Sequence, residues 1–536
     1  MKSKALNGAQ GLFRSLVKNG INTCFANPGT SEMQLIYEMG LSDDIRPVLC
    51  LQENVVTGAA DGYHRMTGTP ALTLLHLGVG LANGLSGMHN ARKAGSGMVT
   101  IVGDNADYHQ HNDVEVSMKK PISHLAEPVS DWVKTTQSPD DLVISCGQAV
   151  QIARQGHGKI TTIISATNHH WGRCDVELPA MAPLPTPSVS GETVENMAAL
   201  LRNGKRTAIV LGKQAVIDGL ETAGKIAAAC NADILTETVT TRMPRGEGRV
   251  LATPIPYIAE MSLQALSQYE QLILIGTKKP FISIAYEGKP VSKVPDSCVV
   301  FTLATADTDY VAALSDLCIA AEADNATGVK RHARAEVSKP SGELNAEAIA
   351  QSMTALMPED CIVVDEGATI GFEIFPGTAG ARRHDWLMSV SGGAIGQGLP
   401  NALGAAVACP DRKVLALQAD GSGMYTNQAL WSIARENCDV TIVILRNDAY
   451  AILQLELARV RKGDANDKML SMMELDKPTI DWVDMASGMG IRGSRATTAE
   501  EFHQQLQNAL AEKGPRLIEA QVAQDLTPFI EMVAPR

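Results

Sequence analysis

The chain reads as an α/β protein of three domains, each a mostly parallel sheet covered by helices on both faces. Three observations lead there. At 536 residues the chain exceeds what one hydrophobic core organises. Short, continuous apolar runs alternate with helical stretches along its whole length, the pattern of strands buried on both faces. Two loop-like stretches divide it: residues 176–192, with four prolines, and residues 325–345, polar and basic around Lys339-Pro340-Ser341-Gly342. The expected domains are therefore 1–180, 190–330 and 345–536, each near ordinary domain size.

In the first third, residues 6–18 have helical spacing and residues 23–26 form a strand, closed by the turn Asn27-Pro28-Gly29-Thr30. Strands follow at 48–51, 71–76 and 98–102, and small residues over 55–63 predict a helix. In the middle third, 207–211 and 271–275 are strands bracketing helices. The last third carries strands at 361–364, 414–417, 440–445 and 516–522, with a helix over 427–436.

Composition narrows the partners. Apolar residues make up 45% and charged residues 20%, as in an ordinary soluble protein, and the net charge is −13. An acidic balance argues against nucleic acid or an anionic membrane as partner. No stretch of roughly 18 uncharged apolar residues appears and no secretory signal is evident, so a cytoplasmic chain is expected. The ten cysteines are scattered without a Cys-x-x-Cys pair, which predicts reduced core residues.

The strongest site signal is Asp420 with Asn447, 27 residues later. Each directly follows a buried strand, so both stand at the carboxyl edge of a parallel sheet, where such sheets bind ligands. A carboxylate and an amide are hard oxygen donors suited to Mg²⁺, which fills its shell with substrate phosphates. Gly421 lets the backbone approach closely and a helix start follows, which favours an anion. The pattern asks for a diphosphate. Glu53, between a strand and a helix, is a second candidate: a carboxyl there is open to desolvation and proton transfer, or simply complements a helix dipole.

Other motifs are weaker. Gly78-Val79-Gly80-Leu81-Ala82-Asn83-Gly84 nearly matches a dinucleotide fingerprint, but Asn83 stands at the third glycine position. It leaves a nicotinamide-dependent oxidoreductase as a rival reading. His76 points at the same edge. His109, His111 and Asp113 form a polar loop cluster without a fourth zinc ligand at a sensible spacing, and His169-His170 with Cys174 reads as structural. The glycine-rich run from Ser391 to Pro400 is either a tight connection or a backbone surface for a flat heteroaromatic ring.

Together these residues resemble the thiamine-diphosphate (ThDP) enzymes of the acetohydroxyacid synthase, pyruvate oxidase and benzoylformate decarboxylase superfamily, over essentially the whole chain. The family signature opens with Gly-Asp-Gly and closes with Asn-Asn; here it reads Ala419-Asp420-Gly421-Ser422 and Arg446-Asn447. The resemblance implies that Asp420, Asn447 and the carbonyl of Ala449 bind Mg²⁺, and that Gly421 and Ser422 touch the diphosphate. It implies that Glu53 protonates the aminopyrimidine, that Ile395 props the cofactor bent, and that the Gly393 carbonyl accepts from the pyrimidine amino group. Asn27-Pro28-Gly29-Thr30-Ser31-Glu32 and Leu75-His76 are similar to benzoylformate decarboxylase, whose Ser and His at these places face the substrate; here the first is Thr30.

Two departures bear on the reaction. That decarboxylase's second active-site histidine has no counterpart in Lys279-Pro280-Phe281-Ile282-Ser283-Ile284, and no tryptophan of the synthase type follows Tyr450-Ala451-Ile452. The middle third offers no convincing flavin signature, so FAD is not the expected cofactor. The resemblance thus implies a ThDP- and Mg²⁺-dependent 2-oxo acid decarboxylase or carboligase of acetolactate-synthase type, with a benzoylformate-decarboxylase-like, non-ligating enzyme as the alternative. It further implies a homodimer or homotetramer with sites between subunits. A non-catalytic homologue also stays open on the altered Ala419 and Arg446.

Overall fold

The computed structural model describes residues 6–109, 118–288, 290–460 and 465–533. Three mostly parallel sheets carry the fold. The first has six strands in the order Arg46–Leu49, Thr23–Asn27, Ala71–Leu75, Met98–Asp104, Ile160–Ala166 and Trp132–Thr135, every neighbouring pair parallel. The second has five parallel strands: Thr253–Pro254, Asp233–Thr236, Thr207–Leu211, Gln271–Ile275 and Val299–Ala304. The third has seven: Met243–Arg245, His384–Met388, Cys361–Glu366, Val414–Ala419, Val440–Arg446, Arg516–Gln521 and Arg492–Ala496. Only its first strand runs antiparallel.

The expected strands are present, half of them extended by a residue or two, and the one expected at 48–51 lies two residues earlier, at Arg46–Leu49. Ile160–Ala166, Trp132–Thr135, Val299–Ala304, His384–Met388 and Arg492–Ala496 add to them. Met243–Arg245 departs from a simple three-part division, because it lies in the middle third yet pairs with His384–Met388 of the last. Residues 175–190 carry no helix or strand, in keeping with their prolines.

The helices form where the apolar period and caps agree. Asn7 caps Gly8–Lys18: its side chain accepts from Gln10 N at 2.8 Å while Gln10 reaches back to Asn7 N. Gly68, at φ +68, ends Glu53–Thr67 in the left-handed conformation that glycine adopts freely.

The largest core joins the first and last thirds, running from Phe25, Val56 and Leu75 to Leu399, Leu403 and Ile442. At its centre helix Glu53–Thr67 lies against Gly398–Ala408 at backbone contact distance. A Cβ on Gly404 would sit 1.9 Å from the Ala59 carbonyl oxygen, and one on Gly62 2.2 Å from that of Asn401. Asn401 Nδ2 donates to the Gly58 carbonyl at 2.8 Å, which satisfies a polar group that such close packing buries.

All ten cysteines are free. Among the described residues no helix is long and apolar enough to cross a membrane.

Candidate active site

The carboxyl edge of the seven-stranded sheet brings Asp420 and Asn447 together. Val414–Ala419 pairs in parallel with Val440–Arg446, placing Ala419 opposite Leu445, so the chain leaves both strands at one level. Asp420 is buried. Its Oδ1 accepts from Gly421 N and its Oδ2 from Asp448 N, each at 2.8 Å. No basic side chain among the described residues pairs with it, and burial pushes its carboxyl up to about 6 against the pull of those N–H groups. Asn447 donates from Nδ2 to Gln524 Oε1 at 2.8 Å and accepts from Ala449 N at 3.3 Å through Oδ1. Gln524 Nε2 is buried without a partner.

The altered signature positions have plain structural reasons. Ala419 sits at φ −68, ψ 142, a conformation open to any residue, so glycine is not required. Arg446 turns from the edge to the neighbouring strand, where Nη1 meets the fully buried Glu519 at 2.5 Å. Gly421 is needed by the protein itself, because a Cβ there would lie 2.5 Å from the Tyr450 ring and 2.8 Å from Leu475. The Ser422 hydroxyl is engaged internally, accepting from Gln418 Nε2 at 2.6 Å.

The six-stranded sheet builds a second cluster at its own carboxyl edge. Glu53 begins its helix, nearly buried, and its two carboxylate oxygens each accept at 3.0 Å, from Asn27 Nδ2 and Asn83 Nδ2. Close by, Glu32 Oε2 accepts from Gly29 N at 2.8 Å and lies 2.9 Å from His76 Nδ1. Glu32 is fully buried, and its Oε1 has no partner. Burial raises its carboxyl, and the His76 contact pulls it back down. With Nδ1 facing this carboxylate, Nε2 is the ring nitrogen left for a ligand. Gly29 cannot carry a side chain, since its Cβ would fall within the His76 ring's contact distance, at 2.2 Å from Nδ1. Thr30 follows and is exposed.

Glu32 closes the Asn27–Glu32 motif but received no role from the sequence; only its contact with His76, 44 residues away, reveals one. Glu366, at the end of Cys361–Glu366, is a second such residue. Its carboxylate accepts from the backbone N–H groups of Gly396 and Gly398 in the glycine-rich run, and burial raises it to about 7 against those bonds. Gly393, at φ +88, is exposed and Ile395 half-buried.

Most of the remaining motifs are taken up in packing and internal hydrogen bonds. Gly78, Gly80 and Gly84 lie inside helix Leu77–Ala94, not in a turn before it: their missing side chains make room for Met118, Glu53 and Thr57 respectively. The glycines are thus used for packing within the protein. His169 bonds Thr136 and Asp107, His170 bonds Ser165, and the Cys174 thiol donates to the Val176 carbonyl. His109 packs edge-on against Tyr108, while His111 and Asp113 lie outside the described residues. Among the described residues no group of three or more His, Cys, Asp and Glu is gathered as for a metal.

One buried carboxylate without a cationic partner among the described residues and an amide oxygen at the same sheet edge are hard oxygen donors of the kind that fits a divalent cation. Comparison with known proteins points to a thiamine-pyrophosphate-binding chain. The model of the thiamine pyrophosphate enzyme N-terminal TPP binding domain matches residues 6–127, and that of the C-terminal TPP binding domain residues 377–520. The chain is 42% identical over 522 residues to "Putative acetolactate synthase large subunit IlvX" of Mycobacterium tuberculosis, covering 96% of this chain and 99% of that protein. It is 26% identical over 534 residues to a benzoylformate decarboxylase of Pseudomonas aeruginosa, covering 95% and 97%. A solved Rhodococcus jostii RHA1 ThDP-dependent 4-hydroxybenzoylformate decarboxylase superposes with a TM-score of 0.84 at 25% identity, over 97% of this chain and 100% of that one. The chain belongs to the ThDP-dependent enzymes related to acetolactate synthase and benzoylformate decarboxylase.

Proposed function

We propose that this enzyme is a Mg²⁺-requiring 2-oxo acid decarboxylase and carboligase of acetolactate-synthase type, cleaving or forming a carbon–carbon bond next to a carbonyl. The observation that carries this reading is the Asp420 carboxylate, buried without a basic partner and tied to the Asn447–Ala449 turn by the Asp448 N–H. Asp420, Asn447 Oδ1 and the Ala449 carbonyl would hold Mg²⁺, and the backbone of Gly421 and Ser422 would face the diphosphate. The Gly393 carbonyl and Ile395 would meet the pyrimidine.

When bound, ThDP supplies a carbon nucleophile and an electron sink for the bond that breaks. The chain's own groups move protons and exclude water. Glu53, steadied by Asn27 and Asn83, would hold and exchange a proton at its carboxylate facing the pyrimidine. His76, held through Nδ1 by Glu32, would present Nε2 to the substrate, and the Thr30 hydroxyl would face the same substrate.

Exposed apolar residues flank both clusters: Leu51 and Val79 near Glu53 and His76, Met424 and Tyr425 just after Asp420. Such surfaces favour burial against a second copy, which supports a homodimer or homotetramer completed between subunits. A cytoplasmic location accords with the reduced cysteines.

A non-ligating, benzoylformate-decarboxylase-like activity is the second reading, favoured by the Glu32–His76 pair and by a hydroxyl-bearing residue, Thr30, directly after Gly29. Product analysis with pyruvate and with benzoylformate separates the two. Acetolactate from pyruvate supports the first, and benzaldehyde without carboligation the second. Purified protein that neither binds ThDP nor decarboxylates any 2-oxo acid would defeat both.

A further inference from the structure

Residues 391–397 belong to no helix or strand, yet the proposed site needs two of them at fixed positions. Gly393 adopts φ +88, and its carbonyl takes no hydrogen bond from a described residue. What holds the segment lies on either side. Asn90, fully buried in helix Leu77–Ala94, reaches across from the first third of the chain. Its Oδ1 accepts from Gly392 N at 3.1 Å and Ala394 N at 3.2 Å, and its Nδ2 donates to the Ala394 carbonyl at 2.7 Å. The Asn90 backbone carbonyl also accepts from Ser391 Oγ at 2.8 Å. One carboxamide thus grips the residues before and after Gly393.

Beyond Ile395 the grip passes to Glu366, whose carboxylate accepts the N–H groups of Gly396 and Gly398. Thr426 Oγ1 donates to the Gly396 carbonyl. Gly393 is therefore held between two points of the Asn90 grip, and Ile395 between that grip and Glu366, one anchor on a helix and one at a strand end.

We propose that Asn90 and Glu366 are positioning residues, a two-point clamp that presets the Gly393 carbonyl and the Ile395 side chain for the cofactor's pyrimidine. This rests on the reading of those two residues given above. A loose glycine-rich segment would lose backbone freedom when the cofactor arrives, weakening binding; a clamped one has already lost it on folding. The chemistry at position 90 is specific. An amide of this length accepts two N–H groups through its oxygen and donates to a carbonyl from its nitrogen, from one side chain. Leucine there would leave those groups buried and unpaired, and aspartate would set an oxygen against the Ala394 carbonyl while keeping the two acceptor bonds.

The test compares wild type, Asn90→Leu, Asn90→Asp and Glu366→Gln as full-length enzyme. ThDP affinity is measured by calorimetry in Mg²⁺, together with the thermal midpoint and amide exchange of residues 391–398 without cofactor. The clamp predicts about tenfold or greater loss of ThDP affinity in Asn90→Leu and Glu366→Gln, with Asn90→Asp intermediate. Faster exchange should be confined to 391–398. Variants with faster exchange but wild-type affinity would overturn it. So would an affinity loss accompanied by faster exchange throughout the chain, which marks general destabilisation. Wild type that binds no ThDP would remove the underlying site reading and the clamp with it, an outcome visible before any variant is compared.

Discussion

Glu32 Oε2 lies 2.9 Å from His76 Nδ1 while the backbone N–H of Gly29 binds the same oxygen, so one buried carboxylate orients both the ring and the turn that leads to Thr30. If His76 delivers or takes a proton through Nε2, Glu32 acts through it. Glu32→Gln is expected to lower turnover about tenfold to a hundredfold with ThDP affinity unchanged. The double variant Glu32→Gln/His76→Ala should be no slower than His76→Ala alone, because residues acting as a unit are not additive. Additive losses in steady-state kinetics would separate the two roles.

Glu53→Gln keeps the shape of the side chain and removes its proton chemistry. ThDP binding, read by calorimetry, should stay within a few-fold of wild type, while turnover falls by about 10²–10⁴. Full turnover in the variant would remove Glu53 from the mechanism.

Asp420 must be ionised to hold a cation, and burial has raised its carboxyl to about 6. Mg²⁺-dependent ThDP binding should therefore be complete well above pH 6 and weaken as pH falls through that value. For the metal-free protein the sign reverses. A carboxyl raised above its ordinary value of 3.8 favours folding below that pH, and the contribution is lost as pH rises towards 6. Asp420→Asn should abolish Mg²⁺-dependent binding and flatten that part of the stability profile, followed by thermal melts with and without Mg²⁺.

Gly404→Val tests the helix contact between the first and last thirds. The new side chain must displace the Ala59 carbonyl, which helix Glu53–Thr67 cannot yield locally. A loss of about 1–3 kcal/mol or more is expected, read as a lower melting midpoint. An unchanged midpoint would mean the two helices do not meet at backbone contact distance.

The fold class was legible because continuous apolar strands such as 440–445 keep their character whatever surrounds them. Asp420 and Asn447 were legible for a related reason: each sits where a buried strand stops, and adjacent parallel strands stop at one edge. Glu366 was not, since its meaning comes from Gly396 and Gly398, 30 and 32 residues on, and no local pattern announces that pairing. Gly78 to Gly84 was ambiguous for the opposite reason. A glycine needed where helices touch leaves the same mark in a sequence as one needed against a phosphate.

The strand Met243–Arg245, lent by the middle third to the seven-stranded sheet, limits how the molecule can be dissected. A fragment beginning near residue 345 would leave the open hydrogen-bonding edge of His384–Met388 unguarded, free to zip against its counterpart in another fragment. A graft of the middle third from a relative must carry those three residues in register with Trp386, or the recipient sheet is left frayed. The central module is better treated as woven into its neighbour than as a detachable cassette.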